Sequence, residues 1–291
     1  MPSLAITGLS NAGKTSLADV CFIGKSINEV MADMVPTVGL STLKFKYLDF
    51  SVNMIDLGGQ KSFRDYYLSN TYLYRGLDLL IHVLDVQDQK NFEESRNFFD
   101  QILNALKKED THPQICVFLH KFDPEMQETL KMNIEEASTL FQGFPIFKTS
   151  ILDNSCHDAF RKILLDFRPE FANKIRNILT QFKGILVEIY IVDTEGWVVE
   201  YAGERGMSVK GSLKNKKRIK ALTSLYSELF EGGSAHISLE GQNKVIRIYP
   251  LSPQLFLFVS YPRNQEWNKN LHSMIKSLVK DMRVAVKFLE T

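Results

Sequence analysis

Cysteine is scarce in this chain of 291 residues: there are three, at positions 21, 116 and 156, odd in number and far apart. That speaks against a disulfide framework and fits a reducing, cytoplasmic setting. Charge of one sign is not in excess either. Lys and Arg total 35 against 34 Asp and Glu, a net charge of +1, and nucleic acid is not an expected partner of so balanced a chain. No apolar run approaches the roughly 20 residues that span a bilayer. The opening Met1-Pro2-Ser3-Leu4-Ala5-Ile6-Thr7-Gly8 has no basic segment followed by a long apolar one, as a signal peptide would. Pro2 stands where myristoylation needs glycine, and Phe288-Leu289-Glu290-Thr291 is no prenylation box. The expectation is a chain with no direct membrane anchor, recruited to membranes only through partners. His157, His236 and His272 lack ligand spacing, so no zinc site is expected.

What is present is an ordinary globular composition, 44% hydrophobic and 24% charged, on a chain long enough for two domains. Up to about residue 165, apolar runs alternate with stretches of helical spacing. Leu4–Thr7, Leu79–Asp85, Ile115–His120 and Ile146–Thr149 read as buried strands, and Lys14–Gly24, Phe92–Lys108, Pro124–Phe141 and Ser155–Leu165 as helices. The alternation predicts an α/β fold with a mostly parallel, six-stranded sheet. Thr42–Phe50 and Ser51–Asp56 leave no room for a crossover and should form a hairpin. Beyond Arg168-Pro169 the order is helix (Pro169–Phe182), two strands (Ile185–Val192, Trp197–Tyr201), helix (Leu213–Phe230), three strands (Ala235–Leu239, Val245–Tyr249, Leu255–Ser260), helix (Glu266–Leu289). That order suits a small α+β domain around a five-stranded antiparallel sheet.

The chemistry-bearing motifs lie in the first part. Gly8-Leu9-Ser10-Asn11-Ala12-Gly13-Lys14-Thr15 fits G-x-x-x-x-G-K-[ST], at the end of a strand and the start of a helix. Backbone N–H groups of Asn11, Ala12, Gly13 and the residues up to Ser16 would cradle phosphates at the helix N-terminus. Lys14 would pair with β- and γ-phosphates and the Thr15 hydroxyl would ligate Mg²⁺. In Asp56-Leu57-Gly58-Gly59-Gln60, Asp56 would hold Mg²⁺, Gly59 would offer its N–H to a γ-phosphate, and Gln60 would orient an attacking water. Thr37, in Val35-Pro36-Thr37-Val38-Gly39, would close over the metal when a γ-phosphate is present. In His120-Lys121-Phe122-Asp123, the aspartate would accept from N1–H and the exocyclic amine of guanine while the Lys121 stem lies along the base. Ser150 and Ile151, in Thr149-Ser150-Ile151, form a second loop beside it. All these motifs but that of Thr37, which lies between the first helix and the hairpin, follow strand ends, where α/β sheets bind ligands.

Taken in order, these motifs resemble a Ras-superfamily small GTPase. The base motif begins with His120 in place of the usual Asn, as in the Rag/Gtr family, and Thr149-Ser150-Ile151-Leu152-Asp153 before a helix and Arg168-Pro169 is also Rag-like. The switch segments, Pro36–Gly39 and Asp56–Gln60, also resemble the Arf family. The resemblance implies a GTPase domain over 1–168 and a roadblock, longin-like dimerisation domain over 169–291. It implies a molecular switch that binds GTP or GDP with Mg²⁺ through Gln60, Lys14 and Thr37 as catalytic residues, slow without an activating protein. Homodimer or heterodimer pairing through the second domain, exchange proteins and effectors follow from the same resemblance. Two other readings stay open: a guanine-nucleotide scaffold that does not hydrolyse, and an ATP-dependent phosphotransferase. Arg205, Lys210, Lys214, Lys216, Lys217, Arg218 and Lys220 form a basic stretch, read as a solvated surface or as a contact for an acidic partner or an anionic membrane surface. Phe63, Tyr66, Tyr67, Tyr72 and Tyr74 crowd the segment after Gln60, some to pack a helix and some for an effector to grip.

Overall fold

The computed structural model describes residues 2–32, 39–48, 50–153, 155–181, 188–194, 196–202, 221, 223, 236–263 and 269–286. Thr37, the expected helix Leu213–Phe230 (save Ala221 and Thr223) and the basic stretch from Arg205 to Lys220 lie outside the described residues. The chain divides into two compact units, Met1–Lys46 with Phe50–Ala159, and Tyr47–Asp49 with Phe160–Thr291.

The first unit is built on a six-stranded sheet in the order β2-β3-β1-β4-β5-β6. Its strands are β1 (Ser3–Thr7), β2 (Leu40–Tyr47), β3 (Phe50–Leu57), β4 (Leu79–Asp85), β5 (Gln114–His120) and β6 (Ile146–Thr149). The pairs β1–β3, β1–β4, β4–β5 and β5–β6 are parallel, while β2 and β3 are neighbours separated by two residues, a hairpin. Strands β4 and β5 are mostly apolar and buried on both faces, as in a parallel sheet covered by helices, with His82 the polar residue inside β4. Helix α4 (Phe92–Lys108) buries Phe92, Phe98, Phe99, Ile102, Ala105 and Leu106 at three- and four-residue intervals. Glu93 and Glu94 in its first turn and Lys107 and Lys108 in its last complement its dipole.

Helix boundaries differ from expectation at two places, each for a physical reason. The stretch expected as one helix from Pro124 is a short 3₁₀ turn, Pro124–Met126, and the helix α5 (Lys131–Leu140) begins later. Residues 124–129 are all exposed, with no apolar face to bury; Leu130, Ile134, Ala137 and Phe141 supply that face further on. Helix α1 is only Lys14–Ala18, widening into a π-turn over Asp19–Ile23 before Gly24 in the left-handed region ends it. A short helix, α2 (Ile27–Ala32), was not expected, although Ser26 and Glu29 form a reciprocal capping box. The Ser26 N–H donates to Glu29 Oε2 at 2.6 Å and the Glu29 N–H to Ser26 Oγ at 3.3 Å. Helices α3 (Lys61–Ser69) and α6 (Ser155–Leu165) complete the first unit's set; α6 straddles the division between the units.

The second unit holds the antiparallel sheet β8-β7-β11-β10-β9, from β7 (Glu188–Asp193), β8 (Val198–Ala202), β9 (Ile237–Glu240), β10 (Lys244–Pro250) and β11 (Leu255–Pro262). Helix α7 (Pro169–Thr180) buries Phe171, Ala172, Ile175 and Leu179 and packs against the last described helix, Lys269–Val286. Arg161 and Glu200 form a buried ion pair at 2.6 Å, and Arg176 reaches the other carboxylate oxygen of Glu200 at 3.2 Å. Both parts of the expected fold class are therefore present: a P-loop α/β unit, then an α+β unit of roadblock-like, five-stranded architecture.

Two histidines make the first unit acid-sensitive. Burial, helped by Lys14 and Arg96, pushes His82 down to about 3; its Nε2 lies 2.8 Å from Ser95 Oγ, among Phe98, Phe99 and Phe141. Burial and then the Lys121 charge lower His120 to about 3 as well. In an unfolded chain both titrate near 6.5. Between those values the unfolded chain binds protons that the folded chain excludes, so stability falls as pH drops from about 6.5 toward 3. Each histidine then costs about tenfold in the folding equilibrium per pH unit. Urea melts between about pH 4 and 7 should show this slope, and His82→Leu should remove about one proton's worth of it.

Candidate functional site

The parallel pairing brings the C-terminal ends of β1, β3, β4, β5 and β6 to one edge of the sheet, with β1 between β3 and β4, where the strand order reverses. That switch point is where open α/β sheets hold ligands. A cavity of about 590 Å³ opens there, within the range of small-molecule sites. Asn11, Gly13, Lys14, Thr15, Ser16, Gly59, His120, Lys121, Asp123 and Ile151 line it, ten of the residues singled out from the sequence.

At one end of the cavity lies the loop between β1 and α1. Gly13 sits at φ 89°, and a Cβ there would come within 2.5 Å of the His120 ring, so the loop closes tightly over that side chain. His120 itself is buried and neutral, its Nδ1 3.1 Å from Thr149 Oγ1, which suits a packing role rather than proton transfer. Ala12, within the loop, is buried. The Lys14 ammonium donates to Leu9 O at 2.8 Å; burial, partly offset by Asp56, lowers it from its ordinary value to about 8. The Thr15 hydroxyl donates to Asp56 Oδ2 at 2.6 Å. Asp56 reaches it because β1 and β3 pair with Ile6 beside Asp56. Gly59 packs so closely on the same loop that a Cβ would fall 2.2 Å from Leu9 C and 2.3 Å from Ser10 N.

Gln60 is half-buried and precedes α3, its carbonyl accepting from the Phe63 and Arg64 amides at 3.1 and 3.0 Å. In the same turn the Gly58 N–H donates both to Gly39 O, at 3.0 Å, and to the Tyr67 hydroxyl, at 3.1 Å. That hydroxyl donates in turn to Gly39 O at 2.8 Å. Of the aromatic cluster, Tyr67 and Tyr74 are buried while Tyr66 and Tyr72 are exposed. Both nearby arginines are engaged in ion pairs. Arg64 pairs with Glu94 and lies over the Phe98 ring, and Arg75 pairs with Glu109.

At the other end, Asp123 is gripped from two sides. Ser150 Oγ donates to its Oδ1 at 2.6 Å, and Gln87 Nε2 to its Oδ2 at 2.9 Å. Gln87 also donates to Lys121 O at 2.8 Å, and Lys121 Nζ donates to Asp85 Oδ2 at 2.6 Å. Lys121 adopts φ 61°, which turns the chain sharply after β5. Ser150 is buried and acts through Asp123 instead of lining the cavity. Asp85 and Gln87 escaped the sequence reading. Their signal was available: Asp85 ends β4 as His120 ends β5, and the two are register partners.

Oxygen donors suit a hard divalent cation. The Thr15 hydroxyl and the Asp56 carboxylate, adjacent beside the phosphate loop, therefore fit Mg²⁺. The third expected ligand, Thr37, is outside the described residues.

Among known proteins, residues 3–199 match the model of the Gtr1/RagA G protein conserved region. The chain is 28% identical over 202 residues to the GTP-binding protein GTR1 of Saccharomyces cerevisiae, a match covering 65% of this chain and 64% of that protein. It is also 35% identical over 101 residues to ADP-ribosylation factor-like protein 8d of Arabidopsis thaliana, covering 35% of this chain and 53% of the relative. The chain thus spans just under two thirds of the first relative and about half of the second. The match over 3–199 spans the phosphate loop, the Asp56 turn and the Asp123 loop, and the chain belongs to the Gtr1/RagA G protein family.

Proposed function

We propose that this chain is a guanine-nucleotide switch that binds GTP or GDP with Mg²⁺ and hydrolyses GTP. The observation that carries the reading is Asp123: both of its carboxylate oxygens are held by Ser150 and Gln87 in the cavity whose other end is the phosphate loop. A fixed, paired acceptor matches the N1–H and amine of guanine, whereas adenine presents an acceptor at N1. The backbone from Asn11 to Ser16 cradles the phosphates, with Lys14 as their counter-charge and Gly59 beside the γ-phosphate. Thr15, Asp56 and Thr37 hold Mg²⁺, which supplies charge neutralisation to the transferring phosphoryl group. Lys121 and Ile151 flank the base, and Gln60 orients the water. Arg64 and Arg75 each commit the guanidinium to an ion pair, with Glu94 and Glu109. Hydrolysis is therefore slow until an activating protein supplies a guanidinium, a contribution of about 10³–10⁵ in rate in related systems.

The second domain is read as starting at Pro169, which opens α7, shortly after the Ala159/Phe160 point at which the compact units divide. That second domain pairs the chain with itself or with a related GTPase. Activating, exchange and effector proteins act on the switch segments, and any membrane recruitment comes through partners; no described helix is long and apolar enough to cross a membrane.

Three measurements test this. Titration with fluorescent guanine and adenine nucleotides should favour guanine, and Asp123→Ala should weaken guanine binding by about 10- to 100-fold, as loss of charge-assisted hydrogen bonds does. A preference for adenine would restore the phosphotransferase reading. Phosphate release should fall at least tenfold in Gln60→Leu with nucleotide affinity unchanged; equal rates would sink the water-orienting role of Gln60, and no release from the wild type would leave a non-hydrolysing scaffold. Sedimentation of the full chain at micromolar concentration, alone and mixed with a related family member, should show a dimer in one of the two cases.

A further inference from the structure

His157, His236 and His272 show no zinc-ligand spacing along the chain, yet folding assembles a candidate ligand set away from the nucleotide cavity. Ligand atoms of Cys21, Cys156 and His157 lie within 4.8 Å of one another, and both cysteines are buried. We propose that these three residues bind one thiophilic divalent cation, Zn²⁺.

Two thiols and an imidazole are the donor chemistry of zinc, and they disfavour the Mg²⁺ assigned to Thr15 and Asp56, which prefers oxygen. Around zinc, with sulfur at about 2.3 Å and nitrogen at about 2.0 Å, neighbouring tetrahedral ligands stand roughly 3.5–3.8 Å apart. The cluster needs to contract by about 1.3 Å at most to meet that spacing. Its burial excludes hard competing ligands, and half-buried His157 leaves an approach for the ion. Three protein ligands leave a fourth position for water or another donor.

The ligands come from two places that sequence alone does not relate. Cys21 lies in the π-turn after α1, and Cys156 and His157 lie in the first turn of α6. π-Turns are rare and concentrate at functional sites. Helix α1 begins at the phosphate loop, and α6 begins shortly after the Ser150-Ile151 loop. A bound ion would therefore brace the elements behind both ends of the cavity. The ligand set itself stands whether or not the cavity takes guanine.

The test uses the full chain, reduced and stripped of metal, titrated with Co²⁺ and then Zn²⁺. Expected are a thiolate-to-cobalt charge-transfer band, tetrahedral d–d bands, saturation at one equivalent, and displacement by Zn²⁺. Cys21→Ser and Cys156→Ser should each remove most of the charge-transfer band, and His157→Ala should weaken cobalt binding at least tenfold. Cys116→Ser, which alters the buried thiol on β5 outside the cluster, should leave the titration unchanged. X-ray absorption of the zinc-loaded wild type needs no variant, so it decides the matter even where a serine variant fails to fold. It should show two sulfur neighbours at about 2.3 Å. The proposal is overturned by a shell of nitrogen and oxygen alone, by loss of the band in Cys116→Ser, or by a reduced chain that takes up no stoichiometric metal. A Cys21–Cys156 disulfide with no metal uptake after reduction is equally fatal to it. Guanine-nucleotide affinity, read separately on the same preparations, keeps a failure of this site distinct from a failure of the switch reading.

Discussion

The hydrogen bond from the Thr15 hydroxyl to Asp56 ties the turn after β1 to the turn after β3, and the geometry of the cavity hangs on it. It exists because β1 and β3 pair in parallel with Ile6 beside Asp56. A slip of one residue would turn Asp56 to the opposite face of the sheet. The absence of a Cβ at Gly59 lets the two turns press together, since the Leu9–Ser10 backbone occupies that space. Gly13 repeats the device against the His120 ring. The phosphate loop is thus clamped from the β3 side by backbone and from the β5 side by a neutral histidine. Shape, rather than a network of charges, holds it in place.

The Tyr67 hydroxyl adds a different kind of constraint. It accepts from the Gly58 amide and donates to the Gly39 carbonyl, to which Gly58 also donates directly. A displacement of either glycine breaks more than one hydrogen bond at once, each worth roughly 0.5–1.5 kcal/mol. Segments bound in this way tend to move together or not at all, which is the behaviour a two-position element needs. Two turns separated by a hairpin share one phenol, and that phenol is anchored in α3.

Much of this was legible from residue order alone, for reasons that differ from element to element. The strands β4 and β5 are mostly apolar runs of the kind a doubly covered sheet buries. Helix α4 carries its apolar stripe and its end charges together. The phosphate loop, the Asp56 turn and the Asp123 loop each carry local signatures. The late start of α5 needed a judgement about which apolar residues find a face, and Ser26–Glu29 is a cap that was in plain view before α2. Asp85 and Gln87 belong to no motif; they matter only because β4 lies beside β5. Cys21 meets Cys156 and His157 through tertiary folding across more than a hundred residues, which no spacing rule reports. Tyr67 looked like one aromatic among several until its hydroxyl was placed.

Burial leaves the Lys14 ammonium easier to deprotonate than a surface lysine, near 8. An anion seated against that ammonium favours its charged form, so anion binding is linked to proton uptake at mildly alkaline pH. The cavity then draws part of a proton from the surrounding buffer, and the heat released carries that buffer's own ionisation enthalpy. Binding calorimetry in phosphate and in Tris would give different apparent enthalpies for the same complex. Affinity would decline as pH rises through 8, although the ligand itself gains no charge there.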